Sequence, residues 1–191
     1  MALTKLNFGG KQQALVAANI PTITGTQLPS GTILQTQSVL MADALAIASS
    51  STSNFTNVTG MAVSITPSAT NSKILIKVNS CFHHSALSTI HLSLLRTIGG
   101  SSTKLGLANV SNRVGSNMAV LPDDDVYGVG IYPATFNFVD SPNTTSACTY
   151  QLQMTAGSSY NVTLYVNRTA NDTDADYGAR TSSTIIAHEI K

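Results

Sequence analysis

Between Thr135 and Thr155 the side chains alternate with a period of two on either side of a polar cluster. Phe136 and Phe138 point one way while Thr135, Asn137 and Val139 point the other. Asp140-Ser141-Pro142-Asn143-Thr144-Thr145-Ser146 follows, a run of turn formers without an apolar side chain. Beyond it Cys148, Tyr150, Leu152 and Met154 alternate against Thr149, Gln151 and Gln153. A period of two puts one set on a buried face and the other in water, as in a half-solvated antiparallel pair. The tract reads as one complete β-hairpin.

The same grammar runs from Thr32 onward. Thr32 to Leu40 and Ala44 to Ala48 read as strands, followed by the polar tract Ser49 to Asn54. Met61, Val63 and Ile65 alternate with Ala62, Ser64 and Thr66 until Pro67, and Ser68 to Ser72 turns the chain. Ile74, Ile76, Val78 and Phe82 then point inward, with Lys73, Lys77 and Asn79 outward. Ile90, Leu92 and Leu94 mark another strand, ended by Gly99-Gly100-Ser101-Ser102; residues 103–126 are weakly patterned. After the central tract come Tyr160 to Thr169, a polar loop from Ala170 to Ser183, and a closing strand from Thr184 to Ile190. About ten short strands at this spacing predict an all-β fold, best fitted by a jelly-roll-like antiparallel β-sandwich over residues 32–191.

Composition narrows what such a fold can do. Only 10% of the 191 residues are charged and the formal net charge is +1. A dedicated nucleic-acid or membrane-surface binder gathers an excess of Lys and Arg, so neither partner is expected. Ser, Thr and Asn hold water at the surface instead. No stretch is long enough to span a bilayer, and Met1-Ala2-Leu3-Thr4-Lys5 has no signal-peptide core behind it. The chain is expected to be made and folded in a cytosol, with no glycans on its N-x-[ST] tripeptides. Cys81 and Cys148 are then expected as free thiols, a disulfide being the alternative.

Residues 1–31 read differently, as an extended N-terminal arm. Leu3, Leu6, Phe8, Leu15, Val16, Ile20 and Ile23 are apolar but irregularly spaced, and Gly9-Gly10 and Pro21 interrupt them. Lys11 to Asn19 fits a short helix, and Leu28-Pro29-Ser30-Gly31 closes the segment as a turn. Apolar side chains without a core of their own lie on something else: the arm's own domain or a neighbouring subunit.

Candidate chemistry is sparse. Asp172, Asp174 and Asp176 invite a calcium reading, since hard cations take several oxygens from a flexible loop. Tyr177, however, stands where an EF-hand loop needs Gly, and Ser183 where it needs Glu. Asp123, Asp124 and Asp125 read as a solvated loop. His83 and His84 are adjacent, so on a strand they face opposite sides and cannot share one ion. His91 and His188 lie on separate strands that can meet in space. A glycosidase pair would draw on aspartates in exposed loops, where nothing raises one pKa, and Glu189 is the only glutamate. No catalytic residue, metal or cofactor is expected, and the chain reads as no enzyme.

Three blocks carry a resemblance. They are Asn57-Val58-Thr59-Gly60-Met61-Ala62-Val63-Ser64-Ile65-Thr66-Pro67 continuing through Ser72-Lys73-Ile74-Leu75-Ile76; Phe138-Val139-Asp140-Ser141-Pro142-Asn143-Thr144-Thr145; and Tyr165-Val166-Asn167-Arg168-Thr169. With Thr184-Ile185-Ile186-Ala187-His188-Glu189-Ile190, and in this order and spacing, they resemble the C-terminal β-domain of tail-fibre and related virion proteins of marine bacteriophages. The resemblance covers residues 32–191. It implies a β-sandwich that assembles as a homotrimer on the virion exterior, often as a fibre tip, with no catalytic residues. The chain departs from the long fibres in lacking a shaft, so a short fibre, a tip protein and a capsid-surface fibre all stay open. Leu3, Leu6, Phe8, Ile20 and Ile23 are then the residues expected to dock on other virion proteins of a tail, vertex or capsid. Ser51, Asn54, Asp123, Asp124, Asp125, Asp172, Asp174, Asp176 and Tyr177, on the loops Ser49–Asn54, Leu121–Val126 and Ala170–Ala179, are expected to face a host saccharide or protein. A capsid decoration, cement or head-fibre protein is the alternative.

Overall fold

The computed structural model describes residues 6–8, 11–13, 27–49, 54–122, 128–157 and 161–191. In chain order the strands are β1 (Leu6–Phe8), β2 (Lys11–Gln13), β3 (Ile33–Met41), β4 (Leu45–Ser49), β5 (Thr56–Ile65), β6 (Lys73–His84), β7 (Ile90–Ile98), β8 (Ser101–Lys104), β9 (Met118–Val120), β10 (Tyr132–Asp140), β11 (Cys148–Ala156), β12 (Val162–Val166) and β13 (Ser183–Ile190). There is no α-helix among the described residues. The helix expected from Lys11 is replaced at Lys11–Gln13 by β2, which pairs antiparallel with β1. Residues 14–19 lie outside the described residues, as do Leu3, Ile20 and Ile23.

The body is a sandwich of two antiparallel sheets. One holds β3–β13–β6 with β10 on the far edge of β6, and β12 and β4 continuing beside the last residues of β6. The other holds β5–β11–β7, and both β8 and β9 share the outer edge of β7. Leaving aside the added pair β4–β12, the order is β3–β13–β6–β10 against β5–β11–β7–β8/β9. Apart from β7, β8 and β9, which stay in one sheet, successive strands of this order cross between sheets in the manner of a jelly roll.

That topology corrects the hairpin reading. β10 pairs with β6 and β11 pairs with β5 and β7, so residues 141–147 carry the chain from one sheet to the other. The alternation was the right signal for two strands, but a period of two does not say which strand is the partner. On these strands the expected inward positions hold: Ile74, Ile76, Val78 and Phe82 on β6 meet Tyr150, Leu152 and Met154 on β11 in one core. Full burial of each such side chain contributes about 1.5–3 kcal/mol.

Two glycine turns shape the second sheet. Gly99 and Gly100, with φ of 55° and 84°, form a two-residue hairpin turn, so Ser101 begins β8 where the sequence suggested only a strand end. On β5 the buried positions change from Val58 to Met61, Val63 and Ile65, an even-to-odd switch. It is made by a bulge at which five steps along β5 oppose two along β11. Gly60 sits inside it at φ 90°, and Gln151 Nε2 donates to the carbonyls of Val58 and Met61 that the bulge leaves without ladder partners.

Candidate functional site

The body has two poles, read from the strand registers. At one, β3 begins and β13 ends, Ile33 beside Ile190, with the 66–72 turn and the 141–147 crossing nearby. Residues 28–32 join the body here: Gly31 N–H donates to the Lys191 carbonyl, Lys191 N–H to that of Thr32, and Lys191 Nζ to that of Leu28. At the other pole β4 ends, β5 begins, and Ile90 lies beside Val120 and Ala156. The flanks of two expected host-facing loops, Ser49 with Asn54 and Leu121 with Pro122, therefore lie at the pole opposite the arm. Asn54 is exposed, and Leu121 and Leu87 are large apolar side chains left in solvent at this end.

The remaining predicted residues distribute as follows. Ser51 and Asp123, Asp124 and Asp125 lie outside the described residues, and Leu6 and Phe8 fall on β1 with side chains outside the description. The loop 170–179 lies on the connection from β12 to β13, and Asn171 N–H donates to the Gly128 carbonyl. There Arg180 holds Asp172 at 2.7 Å and Arg168 approaches it at 3.4 Å. Its three candidate carboxylates are thus not equivalent. Asp172 is neutralised within the chain, while Asp174, Asp176 and Tyr177 stand exposed, and Asp174 lines a hollow of about 210 Å³ together with Asp172 and Arg180. The calcium reading loses its first ligand to the two guanidinium groups.

The histidines separate. His83 and His84 do not face opposite sides: at the end of β6 their rings stack with centroids 5.1 Å apart, both buried, beside Tyr132 and Tyr165. His84 Nδ1 donates to the Ala86 carbonyl at 2.8 Å, which places its proton on that nitrogen. His188 Nδ1 meets Thr36 Oγ1 on the first sheet. His91 lies on the second sheet against Ser116 Oγ, and the two do not meet. Burial, and secondarily the Lys104 ammonium, pull His91 below the ordinary imidazole value. Among the described residues no three His, Cys, Asp or Glu side chains converge as metal ligands.

Two buried carboxylates escaped the sequence reading. Asp140, at the end of β10, accepts from Arg96 Nη1 at 2.9 Å on each oxygen and from Tyr150 Oη at 2.8 Å. This contact joins the two sheets, and burial together with the Asp140 hydrogen bond drives the Tyr150 phenol far above its usual range. Arg96 was the available signal, a lone cation in the apolar strand Ile90–Ile98. Glu189, fully buried, accepts from Ser68 N–H at 2.7 Å and from Ser68 Oγ, Ser72 Oγ and Gln35 Nε2 at 2.6 Å each. Burial pushes its carboxyl up, but these donors outweigh that and hold it below the usual range. Its parity with Ile185 and Ala187 marked it as inward.

Asn167 completes the set. Held at φ 60° and fully buried, it donates from Nδ2 to the Met41 and Asp43 carbonyls and accepts from Ser183 Oγ at 2.6 Å. It ties the β3–β4 turn to the start of β13. Cys81 and Cys148 are free thiols on different sheets.

No family model matches the chain, and no curated protein matches it. Among solved structures it is similar to the infectious bursal disease virus VP2 subviral particle, at 16% identity and TM-score 0.40, over 90% of this chain and 42% of that one. Similarity to the T13 particle of the same virus is 13% identity and TM-score 0.42, over 89% and 39%. For the virus's Gx strain the values are 13% and 0.39, over 89% and 42%. The chain spans about two fifths of the length of these structures.

Proposed function

We propose that this chain is a non-enzymatic bacteriophage virion protein. In this reading it is a homotrimeric short fibre or fibre tip on the particle exterior, held by residues 1–31 and offering polar loops to the host surface. The observation that carries the reading is the polarity of the body. The arm enters at one end, while the flanks of Ser49–Asn54 and Leu121–Val126 lie at the other. A rigid sandwich with attachment and recognition at opposite poles suits adhesion, and several copies convert weak single contacts into firm binding.

The sequence resemblance supports the same reading at particular residues. Its blocks contain Gly60 of the bulge, Asp140 of the inter-sheet contact, Asn167 of the buried knot and Glu189 of the carboxylate pocket. The ordered blocks therefore coincide with the residues that hold this jelly roll in shape.

The test has two arms. Purified protein is expected to bind host cells and, in excess, to reduce infection; binding to no host cell and undiminished infection overturn the adhesive role. Removal of residues 1–31 is expected to abolish incorporation into particles while the body still folds. Copy number separates the alternative: a few trimers at a tail or vertex fit a fibre, and one at every capsid lattice position fits a decoration, cement or head-fibre protein.

A further inference from the structure

We propose that the outer face of the six-stranded sheet seats the Ala170–Ala179 loop of a second copy, so that the subunits join head to tail around a ring. The inference rests on the trimeric reading above and names the surfaces that would make the trimer.

On that face Leu40, Ile186, Leu75 and Val139 form a diagonal apolar stripe across β3, β13, β6 and β10. Adjacent strands lie about 4.8 Å apart, so the stripe is about 14 Å wide. Leu40 is 65% exposed and Val139 52%. Lys77 sits directly beside Ile186, and Lys73 lies two residues along β6 from Leu75; both lysines are exposed. No outward position of these four strands carries a carboxylate, because Asp140 and Glu189 point inward. The face is therefore apolar with two ammonium groups on β6, beside His188.

Charge decides the occupant. Two such faces set against each other would oppose lysine to lysine, which disfavours a two-fold contact through this surface. Among the described residues, the exposed carboxylates outside arginine pairs are Asp43, Asp174 and Asp176. Of these, Asp174 and Asp176 stand just before an exposed aromatic, Tyr177, at 54% exposure. An exposed ring next to two carboxylates complements an aliphatic stripe bordered by two ammonium groups. The loop lies beside the connection into β10, where Asn171 N–H donates to the Gly128 carbonyl. Two different patches make the interface heterologous, and such an interface closes into a ring when the rotation between copies is right.

Charge reversal and rescue tests this on the full chain, with mass by light scattering as readout. The wild type is expected to be trimeric, and K73E/K77E and D174K/D176K each to reduce it to single chains. The four substitutions together are expected to restore the trimer, and circular dichroism checks that each variant is folded. Leu40→Ser with Val139→Ser supplies a charge-neutral variant, expected to weaken assembly at least tenfold in protein concentration. A trimeric wild type that both reversals leave intact overturns this interface and spares the trimer. A single-chain wild type overturns the trimeric reading itself. Loss in only one reversal, or no rescue in the combination, overturns the pairing of these two patches.

Discussion

Asp140 holds one end of the sandwich with a single carboxylate, and its two partners differ in what they supply. Asp140→Ala leaves the Arg96 cation, with its side chain only 19% exposed, without its counter-charge. We expect a loss of about 3 kcal/mol. Tyr150→Phe removes one hydrogen bond and leaves the ion pair, so about 1.5 kcal/mol is expected. Urea unfolding of both variants checks the order; an equal loss would show that the ion pair adds nothing beyond the phenol. At Glu189 the sign follows from a carboxyl held below its ordinary value of 4.5. The unfolded chain binds the proton more readily, so the contribution is complete above that pH and disappears as pH falls through the folded value. Glu189→Gln is expected to cost about 2 kcal/mol at neutral pH, with the difference from wild type shrinking in acid. Neither pocket was read from the sequence, although a lone arginine in an apolar strand and an inward-parity glutamate both demanded partners. What sequence alone does not supply is which distant strand end brings the partner.

Among the elements, the strands were legible and their pairing was not. Gly60 and Gly100 show why glycines need their surroundings. Both hold positive φ, but a Cβ at Gly60 would stand 3.2 Å from the Met41 side chain, whereas at Gly100 it meets nothing within 4 Å. Gly100→Ala is expected to cost about 1 kcal/mol and Gly60→Ala about 2 kcal/mol, measured by thermal unfolding. The weakly patterned tract after β8 has its order from polar contacts instead of periodicity. Lys104 Nζ donates to the Gly115 carbonyl, Asn117 Oδ1 accepts from Leu94 N–H and Ser93 Oγ, and His91 lies against Ser116. Because folded His91 resists protonation, the closed loop is expected to be fully stable above pH 6.5 and to weaken as pH falls below that value. Hydrogen exchange across residues 105–117 should quicken in acid, and His91→Gln should remove most of that dependence. Exchange independent of pH, once the intrinsic rate is corrected for, would sink this account.

At the scale of the molecule, Asn167, Asp140 and Glu189 each link elements far apart in the chain, so the sandwich is expected to unfold as one unit. Tyrosine fluorescence and far-ultraviolet circular dichroism should then report the same denaturation midpoint, and separated midpoints would mean that β4–β12 melts by itself. Alternation, turn residues and the low charge were enough to specify an all-β body with one face of each strand buried, because a period of two constrains each side chain independently of its partner strand. The tertiary structure alone decided that residues 141–147 cross between sheets, that His83 stacks on His84, and that Ser49 with Asn54 and Leu121 with Pro122 lie at the pole opposite Thr32. Those outcomes depend on which remote strand satisfies each backbone edge and each buried charge, and that selection is made by the whole chain at once.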